Sequence, residues 1–492
     1  MYITKRLVGL MMLLVFQVAH TQNRPNIILM MADDLGWGDT GYNGNKIIKT
    51  PYLDQMAAEG VQMNRFYAAS AVCSPTRASV LTGRNPYRTG VFTANKGILR
   101  PEETTLVEIL KAEGYATGHF GKWHLGTLTH TERESNRGKP GNLKEFNPPV
   151  LHGYDNAFVT EAKVPTYNPM VNTDIKKPNS EKNGTPYGTP YRDIDGKKVT
   201  ENLDGDDSRV IMDRVLPFVK QAKKEKKPFV AIVWFHTPHK PCVAGPKHLA
   251  LYKDQPLSMQ HYGGCITAMD EQIGRLRNFL NKEGLANNTM LTFCSDNGPE
   301  NGNPGSSGPF RERKRSMHEG GIRVPGLMVW PAKIKQPIVS NQPFVTSDYL
   351  PTILDALGLE VDPKIELDGE SMLPILLGKK QTRSEAVTCM LSSKLSAQDA
   401  QYKIYAENKI FELYDMQKDS LETRDLALEK PEILEAMKTQ YMSWLSSVKS
   451  SFEGQEYGVK SVERMKQRWE SPLTKTTKKK QVKKKKKSKS EL

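Results

Sequence analysis

Short apolar runs alternate with amphipathic stretches through most of the 492-residue chain, and this alternation constrains the fold more than any other feature. NIILMM at 26–31 is a run of strand length that stops at Asp33-Asp34, as a strand covered on both faces does. Thr50-Pro51 then reads as N-cap and first helical residue, with Leu53, Met56 and Ala57 on the inner face and Gly60 as the stop. VQMNRFYA at 61–68 returns as a strand. The pattern repeats: TTLVEILKAEG (104–114) as a capped helix, YATGHFGKWHLG (115–126) as a strand running into a loop, and SRVIMDRVLPFVKQAKK (208–224) as helical in period despite Pro217. PFVAIVWF (228–235), TMLTFC (289–294) and PGLMVW (325–330) read as further strands, and TAMDEQIGRLRNFLNKEG (267–284) as a helix. Such alternation predicts an α/β fold, a large mostly parallel central sheet with helices on both faces. Ligands in such folds gather outside the carboxyl ends of the strands.

Two regions depart from the pattern. Residues 127–207 are polar and rich in Gly, Pro, Asn and Lys; an insertion of this length is either functional or disordered. From about residue 380 the elements shorten, and QYKIYAE and KIFELYD lead into PEILEAMKTQYMSWLSSV. That suits a smaller C-terminal α+β domain with a short antiparallel sheet. The expected division is an export signal at 1–21, a catalytic domain at 22–380, the C-terminal unit at 381–470 and a Lys-rich tail at 471–492.

The signal reading rests on Lys5 and Arg6 before the apolar core LVGLMMLLVFQVA at 7–19, too short to span a membrane well. It implies an exported protein, periplasmic or secreted, or lysosomal or extracellular in a eukaryote. The tail holds ten lysines and one glutamate and so carries nine of the net +15 charges. It is expected to stay disordered, with no specific nucleic acid partner, and to contact anionic polymers electrostatically. No CxxC pair occurs among the five cysteines, which disfavours a zinc or thioredoxin-type site. With Cys73 set aside, four cysteines remain that an oxidising compartment could pair, although Cys294 sits in an apolar run and reads as core.

Five strand ends carry unusual polar groups: Asp33-Asp34; Cys73 and Arg77; Lys122 and His124; His236 and His239; Asp296-Asn297. All would converge on one edge of the sheet. Either acidic pair alone is ordinary turn chemistry. Together they make an all-oxygen set suited to Ca²⁺ or Mg²⁺, because three packed carboxylates without a cation would repel one another. Arg77, Lys122, His124, His239 and Lys314 add a cationic ring that suits sulfate or phosphate. The residues thus describe a metal-dependent hydrolase of an oxyanion ester, with Cys73 as a candidate nucleophile at a helix N-terminus. Lys122 and His124 stand two apart, so an extended chain would turn them to one side.

Cys73-Ser-Pro-Thr-Arg77, running on to Leu81-Thr-Gly-Arg84, resembles the signature of the type I, formylglycine-dependent sulfatases of the alkaline phosphatase superfamily. Gly118-His-Phe-Gly-Lys-Trp-His-Leu-Gly126 resembles their second signature, and Asp33-Asp34, His239-Lys-Pro241, Ser295-Asp-Asn-Gly298 and Lys314…Glu319-Gly-Gly321 follow in the family's order. The resemblance covers about residues 24–445. It implies that Cys73 is oxidised to Cα-formylglycine (3-oxoalanine) by a formylglycine-generating or anaerobic sulfatase-maturating enzyme. It implies that Asp33, Asp34, Asp296, Asn297 and the modified Cys73 hold one Ca²⁺. One hydroxyl of the hydrated aldehyde would attack sulfur with Asp33 as base. Arg77 and Lys122 would hold the aldehyde-derived oxygens, His239 and Lys314 the sulfate, and His124 would take the second hydroxyl's proton. His236 and His318 are candidates for touching the alcohol part of the substrate or for supporting the loops. The implied substrate is a sulfated sugar or polysaccharide. The alternatives are a phosphonate or phosphodiester hydrolase with the same site, and a catalytically dead glycan-binding homologue.

Overall fold

The computed structural model describes residues 24–135 and 137–457. The expected export segment at 1–21 and the Lys-rich tail lie outside the described residues. No described helix is long and apolar enough to cross a membrane.

A 10-stranded sheet forms the centre. Its middle is parallel, in the order Thr289–Ser295, Asn26–Ala32, Phe229–Trp234, Ala116–Lys122, Asn156–Thr160. The strand Gly326–Val329 joins antiparallel to both Thr289–Ser295 and Val61–Tyr67, so the sheet is mixed at that side. Alternate residues of Asn26–Ala32 feed two cores: Ile27, Leu29 and Met31 enter one, and Ile28, Met30 and Ala32 the other. This two-sided burial is why the strand reads as a continuous apolar run. Each such side chain contributes roughly 1.5–3 kcal/mol when wholly buried. Helices Cys73–Thr82, Leu106–Ala112 and Tyr349–Leu357 cover the first face; Asp207–Lys224 and Leu257–Lys282 cover the second.

The helix expected over 267–284 begins ten residues earlier, at Leu257. Gly263-Gly264 lowers helix propensity, but contact requires both glycines. A Cβ on Gly264 would stand 2.7 Å from the Ala244 Cβ, and one on Gly263 3.0 Å from the Tyr252 ring. The insertion 127–207 is built into the body: Arg192–Asp193 extends the sheet beside Asn156–Thr160, and Arg192 Nη2 pairs with Glu134 at 2.9 Å.

Four antiparallel strands, Val387–Leu391, Lys394–Gln398, Tyr402–Glu407 and Ile410–Asp415, form the C-terminal sheet. Helix Pro431–Phe452 covers one face. The other face shares a core with Ala69, Ala71 and Val72, the approach to Cys73. All five cysteines are unpaired and buried.

Candidate active site

In the parallel strands Ala32 is paired with Ser295, Met31 with Trp234, and Lys122 with Thr160. Their carboxyl ends therefore lie side by side. Asp33 and Asp34 follow one, Asp296 and Asn297 another, and Lys122 ends a third. Cys73 opens the helix Cys73–Thr82, entered from an extended Val72 and closed by Gly83 at φ +67°. A cavity of about 500 Å³ opens over these ends, lined by Cys73, Lys122, His124, Lys163, His239 and Lys314 among others.

Arg77 is the pivot. Its guanidinium is wholly buried, donates from Nη2 to Asp296 Oδ2 at 2.7 Å, reaches Asp33 Oδ1 at 3.6 Å and lies over the Trp234 ring. Nη1 donates to the Lys122 carbonyl at 3.4 Å. Lys122 Nζ donates to Asp33 Oδ2 at 2.6 Å, and Lys314 Nζ to Asp34 Oδ1 at 2.5 Å. Asn297 Nδ2 donates to Asp34 Oδ1 at 2.7 Å, and the Asp34 amide to Asp296 Oδ1 at 3.0 Å.

After these bonds, Asp33 Oδ1, Asp34 Oδ2 and Asn297 Oδ1 are buried with no hydrogen-bond partner. Orphaned buried acceptors are costly. Asp33, Cys73 and Asp296 offer ligand atoms within 4.8 Å of one another, as do Asp33, Asp34 and His239. Burial opposes the Asp33 charge, yet Lys122, His239, Arg77 and Lys314 hold its carboxyl well below the usual range. Burial and the neighbouring Asp33 push Asp296 up to about 7. Carboxylates competing for charge around unpartnered oxygens fit a hard divalent cation.

Burial also pushes the Cys73 thiol up, against the pull of Lys122 and Lys314. Burial thus counters the activation that a helix mouth and nearby cations would otherwise give the thiol. Burial, then Lys122, Arg137 and Arg77, drive His124 well below the usual histidine range. Both of its ring nitrogens are buried without a partner. Lys122 and His124 do share the cavity, but not by strand alternation. The strand stops at Lys122, and His124 turns with φ +56°. His239 Nδ1 lies 2.7 Å from the Lys240 carbonyl, so Nε2 is the atom presented to Asp34 Oδ2 at 3.6 Å. Burial lowers this histidine to about 4, although Asp33 and Asp34 oppose the shift.

Two candidates lie elsewhere. His236 is wholly buried, with Nδ1 2.8 Å from Asp207 Oδ2 and Nε2 2.7 Å from Thr160 Oγ1. It braces strand ends from behind and does not reach the cavity. His318 stacks on Tyr405 at 3.9 Å, with Nδ1 3.3 Å from Glu422 Oε1. It lines a different cleft, beside Arg311 and Lys394. Neither side chain lines the catalytic cavity.

The sequence reading passed over Lys163, Glu300, Arg315, Leu391 and Ser392, all in the cavity wall. Lys163 and Glu300 follow strand ends, which was an available signal. Leu391 and Ser392 sit where the first two strands of the C-terminal sheet meet, far along the chain, with no local mark.

A family model described as Sulfatase matches residues 25–359, and one described as N-sulphoglucosamine sulphohydrolase, C-terminal, matches 308–447. N-acetylgalactosamine-6-sulfatase of Sus scrofa is 32% identical over 402 residues, covering 77% of this chain and 71% of its own. Arylsulfatase G of Rattus norvegicus is 32% identical over 394 residues, covering 73% and 70%. The crystal structure of Ps i-CgsB in complex with k-i-k-neocarrahexaose superposes with a TM-score of 0.74 at 26% identity, covering 86% of this chain and 92% of that one.

Proposed function

This chain belongs to the sulfatase family and is a sulfuric ester hydrolase, and from that premise we propose that it removes sulfate from a sulfated sugar unit with one Ca²⁺ and a Cα-formylglycine made from Cys73. The observation that carries the reading is the trio of unpartnered buried oxygens on Asp33, Asp34 and Asn297 beside Cys73. Asp33, Asp34, Asp296, Asn297 and residue 73 would hold the cation. When bound, the cation would supply Lewis acidity toward the sulfate oxygens, and the hydrated aldehyde the attacking oxygen.

The chain's own groups do the remainder. Lys122, Lys314 and His239 converge on the place where a sulfate would stand against the Asp33–Asp34 corner. Arg77 keeps Asp296 and the Lys122 backbone in register by its three contacts. Asp33 Oδ2 already holds an ammonium proton at 2.6 Å, and its carboxylate is the base placed to relay one from the attacking hydroxyl. The sulfate monoanion of the ester beside His239 favours the protonated ring, and a proton at Nε2 would then pass to the leaving oxygen as the ester bond breaks. His124 enters the cycle neutral and accepts a proton at an unpartnered ring nitrogen. The sugar assignment is supported by the name of N-acetylgalactosamine-6-sulfatase and by the neocarrahexaose in the Ps i-CgsB complex. Export, and an enzyme that oxidises Cys73, belong to the same proposal.

Mass spectrometry of the Cys73 peptide from active enzyme tests it. The expected species is lighter than cysteine by a sulfur-for-oxygen exchange and two hydrogens. Cys73→Ala should cut kcat on an aryl sulfate by roughly 10³-fold or more while the unfolding transition persists. Free thiol in fully active enzyme would sink the nucleophile. A phosphodiester rate above the sulfate rate would move the assignment to the phosphonate and phosphodiester hydrolases.

A further inference from the structure

The catalytic cavity has a larger neighbour that the reaction does not use. A second cavity of about 870 Å³ lies between the insertion at 172–183, the start of the helix Leu257–Lys282, and the loops 240–242 and 302–304. The two cavities are lined by neighbouring residues of the same two loops. His239 and Glu300 face the catalytic one, while Lys240 and Asn303 face the second. Lys240 Nζ donates to the Asn301 carbonyl at 3.0 Å, closing the ridge between them. His239 and Lys240 are consecutive, with Cα atoms about 3.8 Å apart, so along the chain the two linings are one residue step apart.

The ridge is fixed before any ligand arrives. Arg313, next to Lys314, donates from Nη2 to the carbonyls of Glu300, Asn303 and Gly305 at 3.2, 3.2 and 2.7 Å. The opposite wall is also self-supporting. The Asn172 amide bonds to the Thr185 carbonyl at 2.8 Å, and Asn183 holds the Lys177 and Pro178 carbonyls at 3.0 and 2.9 Å. The lining is mixed. Lys176, Lys182 and Lys240 are cations that form no ion pair among the described residues, opposed by the single carboxylate of Asp174. Gln255 and Asn303 offer amides, and Met259 an apolar floor. Ammoniums and amides set around an apolar floor that includes Ile175, Pro241, Pro256 and Pro304 suit a chain of sugars bearing acidic groups, whose charged edges meet the cations and whose C–H faces lie on the floor.

We propose that the second cavity is a subsite for the further units of an acidic oligosaccharide whose sulfated unit lies in the catalytic cavity. It rests on the sugar-sulfate reading above and extends it: the natural substrate is a chain, and the insertion is what reads it. Lys176 and Lys182 contact acidic groups of the chain, and Lys240 marks the crossing.

The test is kcat/KM of the full mature enzyme on mono-, di-, tetra- and hexasaccharides of chondroitin sulfate and carrageenan, with 4-nitrophenyl sulfate alongside. In the wild type kcat/KM should rise with chain length and then level off. The exposed double variant Lys176→Ala/Lys182→Ala should lose about tenfold on the tetrasaccharide through KM, lowering its ratio to the aryl sulfate by the same factor. Raising ionic strength should erode the length preference of the wild type more than that of the variant. A wild type indifferent to chain length, or a variant that keeps the ratio, overturns the subsite. If sulfated monosaccharides are still cleaved in either case, the sugar-sulfate reading survives. If no sulfated sugar of any length is cleaved while the aryl sulfate is, both fall.

Discussion

The residue that most sharpens the picture of the catalytic cavity is Lys163. It lies just beyond the strand Asn156–Thr160, in the cavity wall with Lys122 and Lys314. Burial, and then the Lys122 charge, lower its pKa, and no ion pair satisfies it among the described residues. Crowded cations of this kind cost stability in the free enzyme and repay it when an anion enters. Lys163→Ala should therefore lower kcat/KM on sulfate esters about tenfold, about 1.4 kcal/mol, and should not lower the unfolding midpoint. Steady-state kinetics and a thermal melt check both halves. A drop in midpoint with unchanged kcat/KM would make Lys163 a packing residue. The Asp pairs, Cys73, Arg77, Lys122, His124 and His239 could be read from sequence because each stands in or beside a strand-end motif, and Lys314 because it opens Lys314…Glu319-Gly-Gly321. Lys163 also follows a strand end, but a lysine in a polar insertion is hard to tell from any solvated lysine, so that signal was weak. His236 also follows a strand end, yet its ring turns back to Asp207 and Thr160.

At the scale of elements, the C-terminal sheet grips the segment that carries Lys314. Lys403, on the strand Tyr402–Glu407, places Nζ 2.7 Å from Glu319 Oε1 and 2.8 Å from Glu422 Oε1, with all three side chains fully buried. Glu422 Oε2 also accepts the Glu319 amide at 2.9 Å. From Glu319 the chain runs back to Arg315, whose amide donates to the Ala71 carbonyl at 3.0 Å, and to Lys314, whose amide donates to Pro299. The sheet thus steadies both Lys314 and the approach to Cys73. Lys403→Met removes the cation shared by two buried carboxylates, leaving Glu319 with Arg323 at 3.2 Å and Glu422 with His318 at 3.3 Å, and should cost about 3 kcal/mol in urea unfolding. Adding Glu319→Gln and Glu422→Gln should recover much of that loss, since neutral partners remove the uncompensated charge. A single variant within about 1 kcal/mol of wild type would show that the network holds little. Strand periodicity revealed Tyr402–Glu407 but not this role. Lys403 shares a face with Tyr405, and in an isolated two-layer unit that face would read as solvent. Here both faces are covered, one by Pro431–Phe452 and one by the segment around Cys73. The early start of Leu257–Lys282 was hidden for a related reason: Gly263-Gly264 weakens the local signal, and only contact with Tyr252 and Ala244 explains it.

For the whole molecule, charge is distributed so that capture and chemistry are separable. Nine of the fifteen net positive charges belong to residues 471–492, which lie outside the described residues, whereas Lys122 and Lys314 of the catalytic cavity are locked against Asp33 and Asp34. Ten lysines clustered in one tail attract a polyanion over about a Debye length, about 8 Å at physiological salt, without discriminating among sugars. The cavities discriminate by shape and fixed contacts. Removing residues 475–492 takes away all ten tail lysines and Glu491. The truncated enzyme should elute from heparin at clearly lower salt and turn over 4-nitrophenyl sulfate at the wild-type rate, because that ester needs only the catalytic cavity. On immobilised sulfated polysaccharide the truncated form should release less sulfate at low ionic strength. The two enzymes should converge as added salt screens the tail. If elution does not move, the basic body binds polyanion unaided. A loss of aryl sulfate turnover would instead place the tail in the working structure of the enzyme, and the separation of capture from chemistry would fail.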